Sequence, residues 1–370
     1  MTMSAVTSFR ALTLAALILC AIVVVLGAFV RLTDAGLGCP DWPTCYGHVT
    51  AGSALDNQEA IDAAFPGRPF HYGKALREMT HRYAASMLGL IVVLMTALAW
   101  LRRREGALPV RLTTILLITV VAQGMLGMLT VTWLLKPLIV TLHLLGGMLT
   151  LALLWWLWLQ PENRGPHPSP LPQAGEGVDF LPPRPSGERV GVRGRPRQRS
   201  EASLRPLAVA GLIVLALQIA LGGWTSSNYA AVACPDFPTC QGSWWPAAQF
   251  DQAFVLWRGL GIDYEGGILD HPARVAVHFT HRLGALATTI LLATLALLAM
   301  RRAPAGKLRL AAFALLGALS LQLAIGITTV MRGFPLAWAT AHNAGAALLL
   351  LSVVAVIRYL WPAHAAAREQ

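Results

Sequence analysis

Apolar residues fall in eight runs along the chain, at about 11 to 30, 83 to 101, 112 to 135, 138 to 159, 206 to 224, 283 to 300, 309 to 331 and 337 to 360, with polar segments between them. Each run is close to the ~20 residues a helix needs to cross the hydrocarbon of a bilayer. The pattern therefore predicts an all-α integral membrane protein with eight transmembrane helices. The first run has only Arg10 before it, and no small-x-small cleavage site follows, so it reads as a retained helix and not as a signal peptide. Cys20 follows Leu19 instead of a small residue, which argues against a lipoprotein site.

Between the fourth and fifth runs, residues 161–203 are rich in Pro, Gly and Arg and have almost no apolar periodicity. Such a segment cannot bury a core and is expected to be a disordered cytoplasmic linker. It divides the chain into a half at 1–160 and a half at 204–370, and the halves repeat. "CPDWPTC" from Cys39 to Cys45 returns as "CPDFPTC" from Cys234 to Cys240, and "PLIVTLHLLGG" from Pro137 returns as "PLAWATAHNAG" from Pro335. Four spans per half make both copies run the same way, related by an axis along the membrane normal. The expected architecture is two homologous parallel four-helix bundles. A finer repeat, Q-x-x-x-G, recurs at Gln123 and Gly127, Gln218 and Gly222, and Gln322 and Gly326. Small residues and glutamines at that spacing suit helix packing in lipid.

Composition agrees with a bilayer setting: of 370 residues 55% are hydrophobic and 13% charged. The net charge of +11 raises the question of nucleic acid, but the basic residues flank spans or sit in the linker, so anionic lipid is the expected partner and nucleic acid is not. Short segments such as "LRRREG" and "MRRAPAGK" mark the cytoplasmic side and place both termini there.

His81, His143, His281 and His342 stand near the starts of the even-numbered spans, at similar depth toward the outer face. Ionisable residues inside spans are costly and mark sites or relays, although any one histidine is as well explained as a hydrogen-bonding packing residue. Pairing His81 with His143 and His281 with His342 gives two ligands per half. That suits haem iron better than zinc, which recruits four ligands or three and a water. Copper and a metal-free proton relay remain open. Arg82 and Arg282 follow the first histidine of each pair, and either face haem propionates or snorkel to the interface. On the oxidising outer side, Cys39 with Cys45 and Cys234 with Cys240 are expected to form two local disulfides, structural or redox-active. The second span carries Glu78 in "HYGKALREMTHR", where "HPARVAVHFTHR" carries His278. Ion pairing of Glu78 with Arg77 or Arg82 is the plain alternative to a catalytic role.

Taken together, E-x-x-H-R at Glu78 to Arg82, H-x-x-H-R at His278 to Arg282, the later His143 and His342 and the paired C-P-D-[WF]-P-T-C loops resemble the haem A synthase family. The resemblance spans nearly the whole chain except the linker. It implies a multi-pass enzyme of the bacterial cytoplasmic membrane, with haem sites toward the outer face. Such an enzyme oxidises the C8 methyl of haem O to a formyl group and yields haem A for terminal oxidases. His81 and His143 would then hold haem O as substrate, with Glu78 as the catalytic acid. His281 and His342 would be the axial ligands of a resident haem b, and Cys39–Cys45 the family's outer disulfide. Haem O synthase, a quinol or other electron donor and a homo-oligomer are the partners it suggests. The competing expectations are a dihaem b-type cytochrome that carries electrons from quinol without modifying haem, and a haem transporter.

Overall fold

The computed structural model describes residues 2–65, 67–106, 108–160, 202–303 and 305–361. Eight helices are long and apolar enough to cross a membrane. They are α1 (Thr2–Leu32), α2 (Tyr72–Leu101), α3 (Val110–Thr132), α4 (Pro137–Trp158), α5 (Arg205–Ser227), α6 (His271–Arg302), α7 (Lys307–Met331) and α8 (Leu336–Leu360). The chain is a multi-pass membrane protein. No strand occurs among the described residues, where pairing is limited to the isolated bridges Cys45–His48 and Cys240–Ser243. The linker expected at 161–203 lies, apart from Ala202 and Ser203, outside the described residues.

All eight apolar runs are helical, because in lipid each backbone N–H and C=O must find its partner within the segment. Three helix starts differ from the hydropathy reading: α1 begins at Thr2, well before its run at about 11. Helices α2 and α6 begin at Tyr72 and His271, about three turns before their apolar runs, so their polar first turns carry Glu78, Arg82, His278 and Arg282. Hydropathy sees only the part that lipid surrounds.

The odd-numbered spans all end alike. Ala35, Leu135, Ala230 and Phe334 each donate their N–H to the carbonyl five residues back, on Val30, Thr130, Thr225 and Thr329. The residue before each donor is left-handed: Asp34 at φ 49°, Leu134 at 52°, Tyr229 at 54° and Gly333 at 71°. This is the Schellman closure, which satisfies carbonyls left over at a helix end. Pro137 then opens α4 at a position where its missing N–H costs nothing, and Pro335 directly precedes α8.

Helix α1 packs on α2 and α4, and α3 packs on the same two. In the second half α5 packs on α6 and α8, and α7 on the same two. Contacts of α4 with α5 and α8, and of α1 with α8, join the halves. At the α4–α5 contact a Cβ on Gly223 would stand 3.0 Å from a Leu144 methyl, so the two backbones come close because that residue is glycine. The main apolar core gathers Leu17, Met95, Leu154, Leu215, Leu295 and Val353 with their neighbours, all from the same end of the spans. The four histidines sit beyond it, toward the opposite end.

At that opposite end the segment following Phe254 reaches across to the first half. Lys136 is only 1% exposed; its ammonium lies 3.1 Å from the Trp257 ring centroid and donates to the Gly259 carbonyl. Tyr264 N–H donates to Leu134 O at 3.1 Å, and Arg68 pairs with Asp263 at 2.8 Å. A cation–aromatic contact whose ring is half exposed, as Trp257 is, contributes about 1 kcal/mol. Replacing Lys136 with Met is therefore expected to release this segment. Amide hydrogen exchange across residues 256–266 should accelerate, by up to roughly fivefold for a loss of that size, and an unchanged exchange rate would show that the ammonium holds nothing.

Candidate functional site

Each histidine lies against a glycine of the preceding helix. A Cβ added to Gly27 would stand 3.0 Å from His81 Cε1; the corresponding distances are 3.4 Å for Gly127 and His143, 3.3 Å for Gly222 and His281, and 2.8 Å for Gly326 and His342. The imidazole occupies the room that a side chain on the neighbouring helix would take. The molecule thus repeats four times at the level of helix pairs: α1 with α2, α3 with α4, α5 with α6, and α7 with α8.

His81 on α2 and His143 on α4 meet between helices that both flank α1 and α3. Their ring centroids are 6.5 Å apart and their planes lie at 82°. Two metal–imidazole bonds of roughly 2 Å each fit such a separation. The rings are half-buried; those of His81 and His143 face the backbone of Val23 and Gln123, while Nδ1 of His342 is buried and lacks a hydrogen-bond partner. A buried ring nitrogen without a partner is uncommon, and Nε2 of His81 and of His143 stays free to serve as a ligand. Among the described residues no three His, Cys, Asp or Glu side chains cluster as a zinc-type site would require. Two histidines per half, in apolar surroundings and cradled by glycine, fit an iron porphyrin with two axial ligands.

Above each site sits a disulfide-closed loop. Cys39–Cys45 and Cys234–Cys240 are both bonded, and Cys20 is a buried free thiol. Asp41 organises the first loop, accepting from the Thr44 hydroxyl at 2.5 Å and from the N–H groups of Tyr46 and Gly47. Asp236 does the same in the second with Thr239, Gln241 and Gly242. Burial works against ionisation of Asp41, but those hydrogen bonds outweigh it and hold its pKa below the usual carboxylate range. Asp236 is pulled down to about 2, first by Thr239 and then by the Gly242 and Gln241 N–H groups.

Glu78 ties the first loop to α2. It is 4% exposed; Oε2 accepts the Cys39 N–H at 2.8 Å, and Oε1 accepts from Arg82 at 2.5 Å. Of the two pairings open to it, Arg82 takes the carboxylate, while Arg77 lies over the Phe29 ring. Arg82 also donates to the carbonyls of Asp41 and Thr44. In the second half His278 stands in the same frame, with Cys234 N–H 3.3 Å from Nδ1 and Arg282 Nε 3.3 Å from Nε2. A neutral imidazole accepts at one nitrogen only, so it can satisfy one of these donors at a time, whereas a carboxylate satisfies both. Arg282 donates further to the carbonyls of Cys234, Asp236 and Thr239. Both arginines are thus bound into the loops.

The sequence reading brought together the histidines, Glu78, the arginines and the cysteines. It missed the glycine cradle, Gly27 above all, because α1 carries Val23 where the other odd spans carry glutamine and so escapes the Q-x-x-x-G pattern. Overlaying all four helix pairs on their histidines would have found it.

The COX15-CtaA family of cytochrome oxidase assembly proteins matches residues 10–354. The chain is 38% identical over 340 residues to the haem A synthase of Shewanella oneidensis, covering 92% of this chain and 93% of that protein. It is 28% identical over 363 residues to the haem A synthase of Rhizorhabdus wittichii, covering 92% and 89% of the two chains. A third similarity, 33% over 163 residues, is to the haem A synthase of Paracoccus denitrificans.

The depressed pKa of Asp236 gives the second loop a definite acid response. A carboxylate bound more tightly in the folded state contributes stability above its unfolded pKa of about 3.9, and the contribution fades as pH falls through about 2. Measured relative to a simple dialkyl disulfide under the same phosphine, which cancels protonation of the reagent, reduction of Cys234–Cys240 should be flat from pH 7 to about 4 and faster below it. Asp236→Asn should raise the relative rate above about pH 4 and abolish the acid step. A step that persists in the variant would assign it elsewhere.

Proposed function

Since the chain belongs to the COX15-CtaA family of cytochrome oxidase assembly proteins, we propose that it is a haem A synthase that oxidises the C8 methyl of haem O to a formyl group. The observation that carries this reading is the pair of facing imidazoles, His81 and His143, set on glycine with a buried carboxylate close by in that half alone. Haem O is the substrate of the first half, held by those two histidines. His281 and His342 are the ligands of a haem b in the second half, where the resident group supplies electron transfer. The two halves then act as two four-helix bundles of like build, one reactive and one relaying. The outer face of a bacterial cytoplasmic membrane is the natural side for the disulfide loops and for both sites. An electron donor such as quinol, a haem O synthase as supplier, and self-association complete the set of proposed partners.

The role of each side chain follows from its contacts. His81 and His143 fix the macrocycle between them, and the glycines beneath let the rings sit close to the helix axes. Glu78 holds or releases a proton at Oε1 or Oε2 while the Cys39 N–H and Arg82 keep it in place. His278 cannot take that part, because it offers a single acceptor where two donors converge. Arg82 and Arg282 lock each loop onto its helix and keep a positive charge at the mouth, where porphyrin propionates would lie. By tying loop to helix they also help exclude water from the site below.

The test is extraction of pigments from purified protein. The parent is expected to yield b-, o- and a-type haems. Glu78→Gln keeps the acceptor for Cys39 N–H but loses the charge opposite Arg82; it should retain haem b while haem A falls at least about tenfold and haem O or a partly oxidised form accumulates. Normal haem A output from that variant would overturn the role of Glu78. Separately, His281→Ala should remove the b-type spectrum, and a full b-type signal would refute the ligand assignment in the second half.

A further inference from the structure

The outer ends of α2 and α4 carry a lysine at matching places. Lys74 stands seven residues before His81 and Lys136 seven before His143, so each lies about two helical turns, or ~10 Å, outward of its imidazole. One segment of the second half ties both together. Gly259 O accepts from the Lys136 ammonium, while Glu265 lies 3.6 Å from the Lys74 ammonium and 3.9 Å from Arg68. Between these ends Tyr264 is 3% exposed, with its N–H bonded to Leu134 O. It packs in one apolar cluster with Leu37, Val131 and Leu135, against which Ile262 and Val140 also lie. Val140 is one turn before His143 on α4, and Val131 one turn after Gly127, the glycine against that histidine. The segment thus closes the first half across the outer ends of both helices that bear its histidines.

Equivalent positions in the second half differ. They are Arg274, which donates to the Leu269 and Gly267 carbonyls of its own loop, and the uncharged Pro335. The cover over the first half is also built to yield. Gly259, Gly261, Gly266 and Gly267 have φ of 77° to 87°, a left-handed backbone that glycine adopts freely, so the chain turns sharply on either side of Ile262 to Glu265. Its ion pairs, Arg68–Asp263 and Lys74–Glu265, are partly exposed and contribute little. A segment held by so few contacts opens locally, without unfolding of the spans. A resident group needs no such opening; a substrate that must be admitted and a product that must leave do.

We propose that residues 259–265 are a lid, contributed by the second half, over the substrate site of the first, and that its opening sets the rate at which haem O enters and haem A leaves. The proposal rests on the functional reading above.

The experiment mixes full-length haem-loaded protein with excess apomyoglobin and follows transfer of o- and a-type haem separately from b-type haem by their pyridine haemochrome spectra. Lys136→Met, which takes the ammonium away from Trp257 and Gly259, is expected to speed transfer of o- and a-type haem by up to about fivefold, in step with amide exchange in the segment, and to leave b-type transfer at the parental rate. In the other direction, Arg68→Cys/Asp263→Cys joined by a bismaleimide should slow o- and a-type transfer at least about fivefold relative to the same protein capped with a monofunctional maleimide. The native free thiol, Cys20, is buried. Parental o- and a-type transfer from Lys136→Met despite faster amide exchange would overturn the lid. An equal change in b-type transfer would overturn it too, since that marks a general loosening or stiffening. If Lys136→Met does not accumulate, the cross-linked and capped forms of one protein decide the matter, and equal transfer from both overturns the proposal. A parent that takes up no haem removes the functional reading and the lid with it, an outcome distinct from a loaded protein whose haem transfer ignores the segment.

Discussion

The constraint on which the site depends is steric: an imidazole packs closely between two helices where the neighbouring backbone carries no Cβ. Gly27, Gly127, Gly222 and Gly326 meet it, each under its own histidine. A methyl on Gly326 would stand 2.8 Å from Cε1, so there the ring would turn or the helices would part; at 3.0 Å on Gly27 and 3.3 Å on Gly222 a few tenths of an ångström would suffice, and at 3.4 Å on Gly127 the contact is an ordinary one. In lipid the second course is open, because apolar side chains gain nothing from each other that they do not gain from acyl chains. The glycines therefore set ring orientation and helix spacing together. The apolar core at the other end of the spans holds the helices at a distance that makes the cradle usable.

The two halves share this scaffold and differ in what surrounds it. At the position of residue 78 one half has a carboxylate that accepts from a cysteine N–H and an arginine together, and the other half has an imidazole that can accept from only one of the equivalent donors. Both residues tie the disulfide loop to its helix, so tethering accounts for a polar group there in either half. It does not account for the choice of an acid. A carboxylate kept in place by two donors beside one pair of imidazoles, and absent beside the other, is an asymmetry of chemistry laid over a symmetry of packing.

Much of this was legible in the sequence because hydropathy and repetition are local signals. Eight runs became eight helices, and the paired cysteine motifs became two disulfide loops. The early starts of α2 and α6 were not legible, because their first turns are polar and run above the apolar stretch. Nor was the reach of the segment after Phe254 onto Lys136. A lysine next to a proline reads as an interfacial cation, and only the tertiary fold covers it with Trp257. The pairing of Glu78 could be narrowed to two arginines. Choosing Arg82 required knowing that Arg77, one residue before the acid, points to Phe29 instead.

The fourfold repeat explains why the departure at Val23 and Ala84 carries meaning. Every odd span ends in the same left-handed closure, every even span carries its histidine over a glycine, and in three pairs a glutamine of the odd span lies reciprocally over a second glycine, three residues after the histidine. Random drift would be expected to loosen one side of an interlock before the other. In the first pair Val23 and Ala84 stand at the positions of that glutamine and glycine, so the reciprocal interlock is missing from α1 and α2 alone among the four pairs. Glu78 belongs to the same pair and is tied to the loop that follows α1 through the Cys39 N–H. The acid and the departure from the repeat therefore fall together, in one helix pair out of four.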